Sequence, residues 1–125
     1  MTGYRTPRAK VEGLGAAHSG TAHFWQQRVT AIALIPLAIW FGWAAMHLVG
    51  APYDMATAFL RRPVNAVLMI LFIFAALYHM TLGVQVVIED YIEQEGGKLL
   101  LLMLNRFFAW IVGAACLFAM FKIAL

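Results

Sequence analysis

Three long apolar runs decide what this sequence can fold into. They cover residues 29–49, about 64–88 and about 99–125. A helix needs roughly 20 apolar residues to cross the hydrocarbon core of a bilayer, and each run meets that length. Lipid offers no partner to backbone amides, so a spanning segment is either a helix or a strand of a closed barrel, whose residues would alternate in polarity. The runs do not alternate, so the sequence predicts an all-α membrane protein with three transmembrane helices.

The composition agrees with a lipid environment and limits the chemistry. Of the 125 residues, 63% are hydrophobic and 12% are charged, whereas about a quarter of a soluble domain is charged. Lipid is therefore an expected partner and nucleic acid is not. The single cysteine, Cys116, cannot hold an iron–sulfur cluster, and the chain has no dinucleotide-binding glycine pattern. Three helices also enclose little volume, so we expect a subunit of a larger helical bundle that is not an enzyme by itself.

The basic residues predict the orientation, because Lys and Arg accumulate on the cytoplasmic side. Three fall in the first connection or at the C-terminal end, namely Arg61, Arg62 and Lys122. Six fall on the other side, namely Arg5, Arg8, Lys10, Arg28, Lys98 and Arg106. We therefore expect residues 1–28 to form a basic cytoplasmic arm before a membrane anchor of residues 29–125. The arm lacks the apolar core of a signal peptide, which favours retention and a bacterial inner membrane.

His79 is the residue most indicative of function. It lies in the second predicted helix, about 24 Å along the axis from Pro63. An ionisable group at that depth is costly and is a functional candidate by default. Two interpretations stay open: a neutral imidazole bonded to a neighbouring helix, or a ligand of a metal or haem iron.

Small residues surround His79 on one helix face. Ala75, Ala76 and Gly83 share that face, and such a strip favours approach of a haem, although close helix packing uses the same residue types. The other membrane histidine, His47, lies near the outer end of the first helix, on the order of 15–20 Å from the depth of His79. The chain can thus supply one axial ligand and no more, and a bis-histidine haem would need a second histidine from another subunit.

Two segments resemble a known family, the hydrophobic membrane-anchor D subunits of succinate dehydrogenase, respiratory complex II. They are His23-Phe-Trp-Gln-Gln-Arg28-Val-Thr-Ala31 and His79-Met-Thr-Leu-Gly83-Val-Gln-Val-Val-Ile-Glu-Asp90-Tyr91. The second carries a haem histidine, a glycine one turn later and an Asp-Tyr pair downstream. Three helices and a cytoplasmic N-terminus match the family along nearly the whole chain.

The resemblance implies a role for each matching residue. His79 would be one axial ligand of haem b, with the other on the C subunit, a cytochrome b membrane subunit. Arg28 and His23 would approach the haem propionates. Tyr91 would donate a hydrogen bond to a ubiquinone carbonyl, and Asp90 would help shape that site. By chemistry alone, Tyr91 also suits an interfacial anchor, and Arg28 suits snorkelling to headgroups.

The function that the resemblance implies is an anchor for catalytic subunits. It would tether the flavoprotein and iron–sulfur subunits, and electrons from succinate oxidation, a tricarboxylic acid cycle step, would reach ubiquinone through them. Two alternatives stay open. One is a haem-free structural subunit of another membrane complex, with His79 in packing. The other is a small proton-coupled transporter subunit, with His79 as a proton relay.

Overall fold

The computed structural model describes residues 6–12 and 19–125, which form five helices and, within those ranges, no strand. The helices are α1 (Pro7–Glu12), α2 (Ser19–Leu48), α3 (Tyr53–Arg61), α4 (Pro63–Tyr91) and α5 (Glu95–Ala124). Three of them, α2, α4 and α5, are long and apolar enough to cross a membrane. The predicted all-α class with three spanning helices is thus confirmed. The cytoplasmic N-terminus stays a prediction, and much of the predicted arm, residues 1–5 and 13–18, lies outside the described residues.

The first spanning helix is longer than its apolar run. It begins at Ser19, whereas the sequence analysis began it at Val29, and its 30 residues extend about 45 Å. The hydrocarbon core is only about 30 Å thick, so the polar first turns continue the helix beyond it. The length of an apolar run therefore indicates the thickness of the hydrocarbon core and not the full length of the helix. His23 and Arg28 consequently lie on a helix.

A short helix that the sequence analysis did not predict fills the first connection. Gly50 has a φ of +73°, a conformation open to glycine, and turns the chain after α2. Helix α3 then packs against α4 and α5. At its end, Asn65 Nδ2 donates to the Phe59 carbonyl oxygen at 2.9 Å. This bond ties the C-terminal turn of α3 to the start of α4, where Pro63 takes the first helical position.

Helix α5 runs without a break through the two polar residues that interrupt its apolar run. It starts at Glu95, earlier than the predicted Leu99, and continues through Asn105 and Arg106. Asn105 Nδ2 donates to the backbone oxygen of Thr81 on α4 at 2.9 Å. The bond satisfies the amide within the bundle, which is where polar side chains of a membrane helix are expected. Asn105, which interrupts the apolar run, therefore makes an interhelical contact.

Helix α4 is the middle helix of the bundle, because it packs against both α2 and α5. A Cβ added to Gly113 of α5 would lie 3.3 Å from Leu77 Cδ1 of α4, so glycine permits this close contact. Among the described residues the buried core consists of Ala44, Ala66, Ala75, Leu82, Ile88 and Met120. Most large apolar side chains point outward instead, including Trp110, which is 77% exposed. The outer surface therefore suits lipid or other apolar helices.

The contact between Asn105 and Thr81 generates a prediction about stability. Asn105→Leu keeps the side-chain volume but removes the donor, so we expect the free energy of unfolding to fall by about 0.6 kcal/mol and by less than roughly 2 kcal/mol. The measurement is unfolding of the purified protein in mixed detergent micelles. Met103→Leu, at an exposed position on the same helix, is the control, and equal stability of both variants would contradict the prediction.

Candidate functional site

His79 lies half-buried on α4, the middle helix. Along the helix axis it is about 24 Å from Pro63 and about 18 Å from Tyr91. The ring contacts α2, because its Nδ1 lies 3.0 Å from Thr30 Oγ1. Among the described residues this is the one hydrogen bond that the His79 ring makes. The imidazole is thus held by one nitrogen, and Nε2 is the nitrogen left for another partner.

The small residues near His79 lie where α4 meets α2. Ala75 is buried, and Ala76 and Gly83 are half-buried. A Cβ added to Gly83 would lie 3.6 Å from Gln27 Nε2, an ordinary van der Waals distance. A methyl group would therefore fit beside Gln27, and packing against α2 does not by itself require glycine at this position. The haem-facing role of the three small residues stays a prediction.

The contacts between α2 and α4 fix how these helices run. Gln27 lies beside Gly83, and Thr30, further along α2, meets His79, which comes earlier on α4. The helices are therefore antiparallel, and the first turns of α2 lie at the same end of the bundle as the last turns of α4. This arrangement places Arg28 and His23 on the Tyr91 side of His79, about 3 Å and about 10 Å from its level along the axis, whereas Tyr91 lies about 18 Å from that level.

Three predicted site residues are exposed, namely Arg28 near the level of His79, and Asp90 and Tyr91 at the end of α4. The Arg28 guanidinium lies over the Phe24 ring, 5.0 Å from its centroid, a contact that leaves its in-plane N–H donors available to an anion. Tyr91 is 79% exposed and is the last residue of α4. The propionate and quinone roles of these residues stay predictions.

His23 lies in a different environment from His79. Its Nε2 is buried and has no hydrogen-bond partner among the described residues. The ring lines an open groove of about 860 Å³ between α2, α4 and α5, and His79 does not line it. Toward the Tyr91 end the groove is polar, with His23, Gln26, Gln85, Glu89 and Arg106. Toward the middle it is apolar, with Ile73, Phe74, Leu77, Trp110, Ala114 and Leu117 among its lining residues.

His47 is remote from this region and packs in an aromatic cluster. Its ring stacks on Trp43 with centroids 5.5 Å apart, and the Phe59 centroid lies 6.1 Å away. Because Thr30 marks the level of His79 on α2, His47 lies about 25 Å along the axis from that level. This separation exceeds the 15–20 Å expected from the sequence. His47 is therefore too far away to ligate the same ion as His79.

Sequence reasoning missed Thr30 and Gln27 as neighbours of His79 and Gly83. Both lie within the first quoted segment, three residues apart, and so on one face of α2. That three-residue spacing was the available signal that Gln27 and Thr30 face the same neighbouring helix. It did not identify their partners, because the relative level of two antiparallel helices depends on the length of the connection and on the extra helix α3.

The whole chain was then compared with known proteins. Residues 2–113 match the family described as succinate dehydrogenase/fumarate reductase transmembrane subunit. The chain belongs to this family. The identification made from the two segments is thereby confirmed, and with three spanning helices the chain is a multi-pass membrane protein of the succinate dehydrogenase/fumarate reductase transmembrane subunit family.

Individual relatives agree with this assignment. A succinate dehydrogenase hydrophobic membrane anchor subunit of Paracoccus denitrificans is 34% identical, over 98% of this chain and 94% of its own length. The subunit of that name from Rickettsia bellii is 30% identical over 94% of both chains. A succinate dehydrogenase membrane anchor subunit of Reclinomonas americana is 31% identical over 73% of this chain and 78% of its own. No solved structure matches this chain significantly.

Gly83 offers a test of helix packing in this transmembrane subunit. Gly83→Leu places a branched side chain against Gln27, so we expect overpacking to cost about 1–3 kcal/mol of stability. The control is Gly42→Leu on α2, because a Cβ at Gly42 meets nothing within 4 Å. Thermal unfolding of the purified protein should show a lower Tm for the first variant only. Equal Tm values would contradict the placement of Gly83 against α2.

Proposed function

We propose that this chain is the hydrophobic membrane anchor of a succinate dehydrogenase, that His79 ligates a haem b, and that Tyr91 helps bind ubiquinone. The observation that carries the proposal is the placement of His79: a half-buried imidazole within a helix long and apolar enough to span a membrane, held through Nδ1 by Thr30 at 3.0 Å. An ionisable residue within a membrane span is a functional candidate. The membership of the chain in the transmembrane subunit family supports haem as the ligand class.

The residues around His79 fit a haem. A histidine that ligates a metal commonly bonds its second ring nitrogen to a protein group, which orients the ring. Thr30 is that group for His79. Arg28 precedes Thr30 by two residues, about 3 Å along the axis toward the Tyr91 end, and its exposed guanidinium suits a propionate. His23, closer to that end, is the second candidate. When bound, the haem supplies a one-electron redox centre.

The second axial ligand would come from a partner. A bis-histidine haem needs ring nitrogens on opposite sides of one iron, roughly 4 Å apart. His47 lies about 25 Å away along the axis and is stacked on Trp43. The proposed partner is the C subunit, a cytochrome b membrane subunit. The exposed apolar surfaces of α2, α4 and α5 suit contacts with its helices.

The quinone site would lie at the end of α4. Tyr91 has one phenolic donor, suited to a quinone carbonyl oxygen, and its exposure lets a ligand or a partner subunit cover it. Asp90 lies beside it and would help shape the site. A carboxylate there can also relay the protons that a reduced quinone takes up.

The catalytic subunits would dock at the same end of the bundle. The iron–sulfur subunit would deliver electrons to the quinone, and the flavoprotein subunit would oxidise succinate. The basic residues of the N-terminal segment and Lys98 favour the cytoplasmic side for this end. The proposed location of the complex is a bacterial inner membrane. In this arrangement the anchor tethers the soluble subunits and takes part in electron transport, and succinate oxidation belongs to the tricarboxylic acid cycle.

His79→Ala tests the ligation. The complex is purified in mild detergent through a tag on this chain, and its haem content and optical spectrum are measured. We expect b-type absorption to be lost or strongly changed, because alanine supplies no ligand. The matched control is His47→Ala, which should retain the spectrum, since His47 packs on Trp43 and Phe59. A normal spectrum in His79→Ala, or a wild-type complex without b-type haem, would refute the proposal.

Tyr91→Phe tests the quinone site by removing one hydroxyl. A hydrogen bond between neutral groups contributes about 0.5–1.5 kcal/mol, so we expect kcat/KM for ubiquinone reduction to fall about 2- to 12-fold. Succinate oxidation with a soluble artificial electron acceptor should stay unchanged. The control is Tyr53→Phe, because Tyr53 is 82% exposed at the opposite end of the bundle. Normal quinone kinetics in Tyr91→Phe would remove Tyr91 from the site.

A further inference from the structure

We infer that Thr30 is a positioning residue for His79: its hydroxyl oxygen accepts a hydrogen bond from Nδ1–H and so holds the imidazole in the tautomer whose Nε2 can bind iron. The inference rests on the proposed function, because it concerns the nitrogen that would ligate the haem. It adds a residue on another helix, α2, to the haem site.

The Thr30 hydroxyl has a single proton and can donate only one hydrogen bond at a time. Thr30 Oγ1 lies 2.7 Å from the Gln26 carbonyl oxygen and 3.1 Å from the Gln27 carbonyl oxygen. Carbonyl oxygens only accept hydrogen bonds. A separation of 2.7 Å between two oxygens is the usual length of an O–H···O bond, so the hydroxyl proton lies between Thr30 and these carbonyls. Helical threonines commonly form such a bond to the preceding turn.

The contact with His79 follows from this assignment. With its proton directed to α2's own backbone, Thr30 can only accept a hydrogen bond from the ring. The 3.0 Å contact therefore requires the proton of the neutral imidazole to be on Nδ1. In a neutral imidazole one nitrogen donates and the other accepts, so Nε2 carries the free lone pair. This is the form in which a neutral histidine ligates a metal.

The contact also fixes the direction of the ring. The hydroxyl belongs to a β-branched side chain, whose χ1 is restricted in a helix, and its oxygen is further held by the backbone of the preceding turn. His79 is thus oriented by a group attached to a second helix. An acceptor at Nδ1–H raises the basicity of the coordinating nitrogen, and removal of such a partner typically weakens metal binding about 10- to 100-fold.

The chain contains a matched threonine without a histidine partner. Thr57 Oγ1 bonds to the carbonyl oxygens of Tyr53 and Asp54, four and three residues before it, each at 3.0 Å. Thr30 makes the same pair of bonds on α2 and one more, to His79. Substitution of Thr57 therefore removes the intrahelical bonds alone. The difference between the two substitutions isolates the contact with the ring.

The test uses the complex purified through this chain and compares Thr30→Val with Thr30→Ser, Thr57→Val and His79→Ala. Valine keeps the branched shape and removes the acceptor, whereas serine keeps the hydroxyl. The readouts are haem content, the rate of haem transfer to apomyoglobin and the haem midpoint potential from a redox titration. Thr30→Ala removes hydroxyl and methyl together and serves as a second variant if valine blocks assembly, which is judged from the co-purifying subunits.

We expect Thr30→Val to lose haem about tenfold faster or more and to shift the midpoint potential upward, because a less basic ligand stabilises the ferric iron less. Thr30→Ser and Thr57→Val should match the wild type. A Thr30→Val complex with wild-type potential and haem loss would overturn the role of Thr30, as would equal changes in Thr30→Ser or Thr57→Val. In those cases haem loss in His79→Ala still supports the proposed function. Haem retained in His79→Ala would overturn both.

Discussion

The antiparallel contact between α2 and α4 is the interaction on which the rest of the arrangement depends. Thr30 meets His79, and Gln27 lies beside Gly83, so these two contacts set the relative level of the helices. Once that level is fixed, the polar first turns of α2 and the last turns of α4 share one end of the bundle. The half-buried His79 lies between the helices and Tyr91 lies at the end of α4, about 18 Å apart along the axis.

The bilayer explains why so little of this chain is buried. Six described residues form the core, three of them alanine, and large apolar side chains point outward. Apolar burial does not drive helix association in lipid, so small residues and a few polar contacts must hold the helices together. The polar contacts have a common form: Asn105 and Thr30 both bond to helix backbone. These two side chains are thereby bonded inside the bundle, and Thr30 keeps one oxygen lone pair for the ring of His79.

The sequence predicted what depends on composition and length. The three spanning helices, the family and the deep position of His79 follow from hydropathy and from two short motifs, and the first two are confirmed. The start of α2 was wrong because the polar turns after Ser19 carry no hydropathy signal although they are helical. Helix α3 was missed because it is amphipathic and only nine residues long. The partners of His79 were missed because spacing within one helix does not reveal its level against another. The ligand roles of His79, Arg28 and Tyr91 stay predictions.

The distance between the two membrane histidines limits how a haem can be held. With His47 about 25 Å along the axis from the level of Thr30, His79 is the one histidine of the described residues at that level. In the proposed function a second subunit must complete the coordination, so haem binding and subunit association are linked: a ligand that binds only the assembled state stabilises it by mass action. A correct tautomer then matters more than it would in a single-chain site, because the imidazole must present its lone pair before the partner arrives. A hydroxyl on a neighbouring helix of the same chain can supply that preorganisation, since its position depends on no residue of the partner.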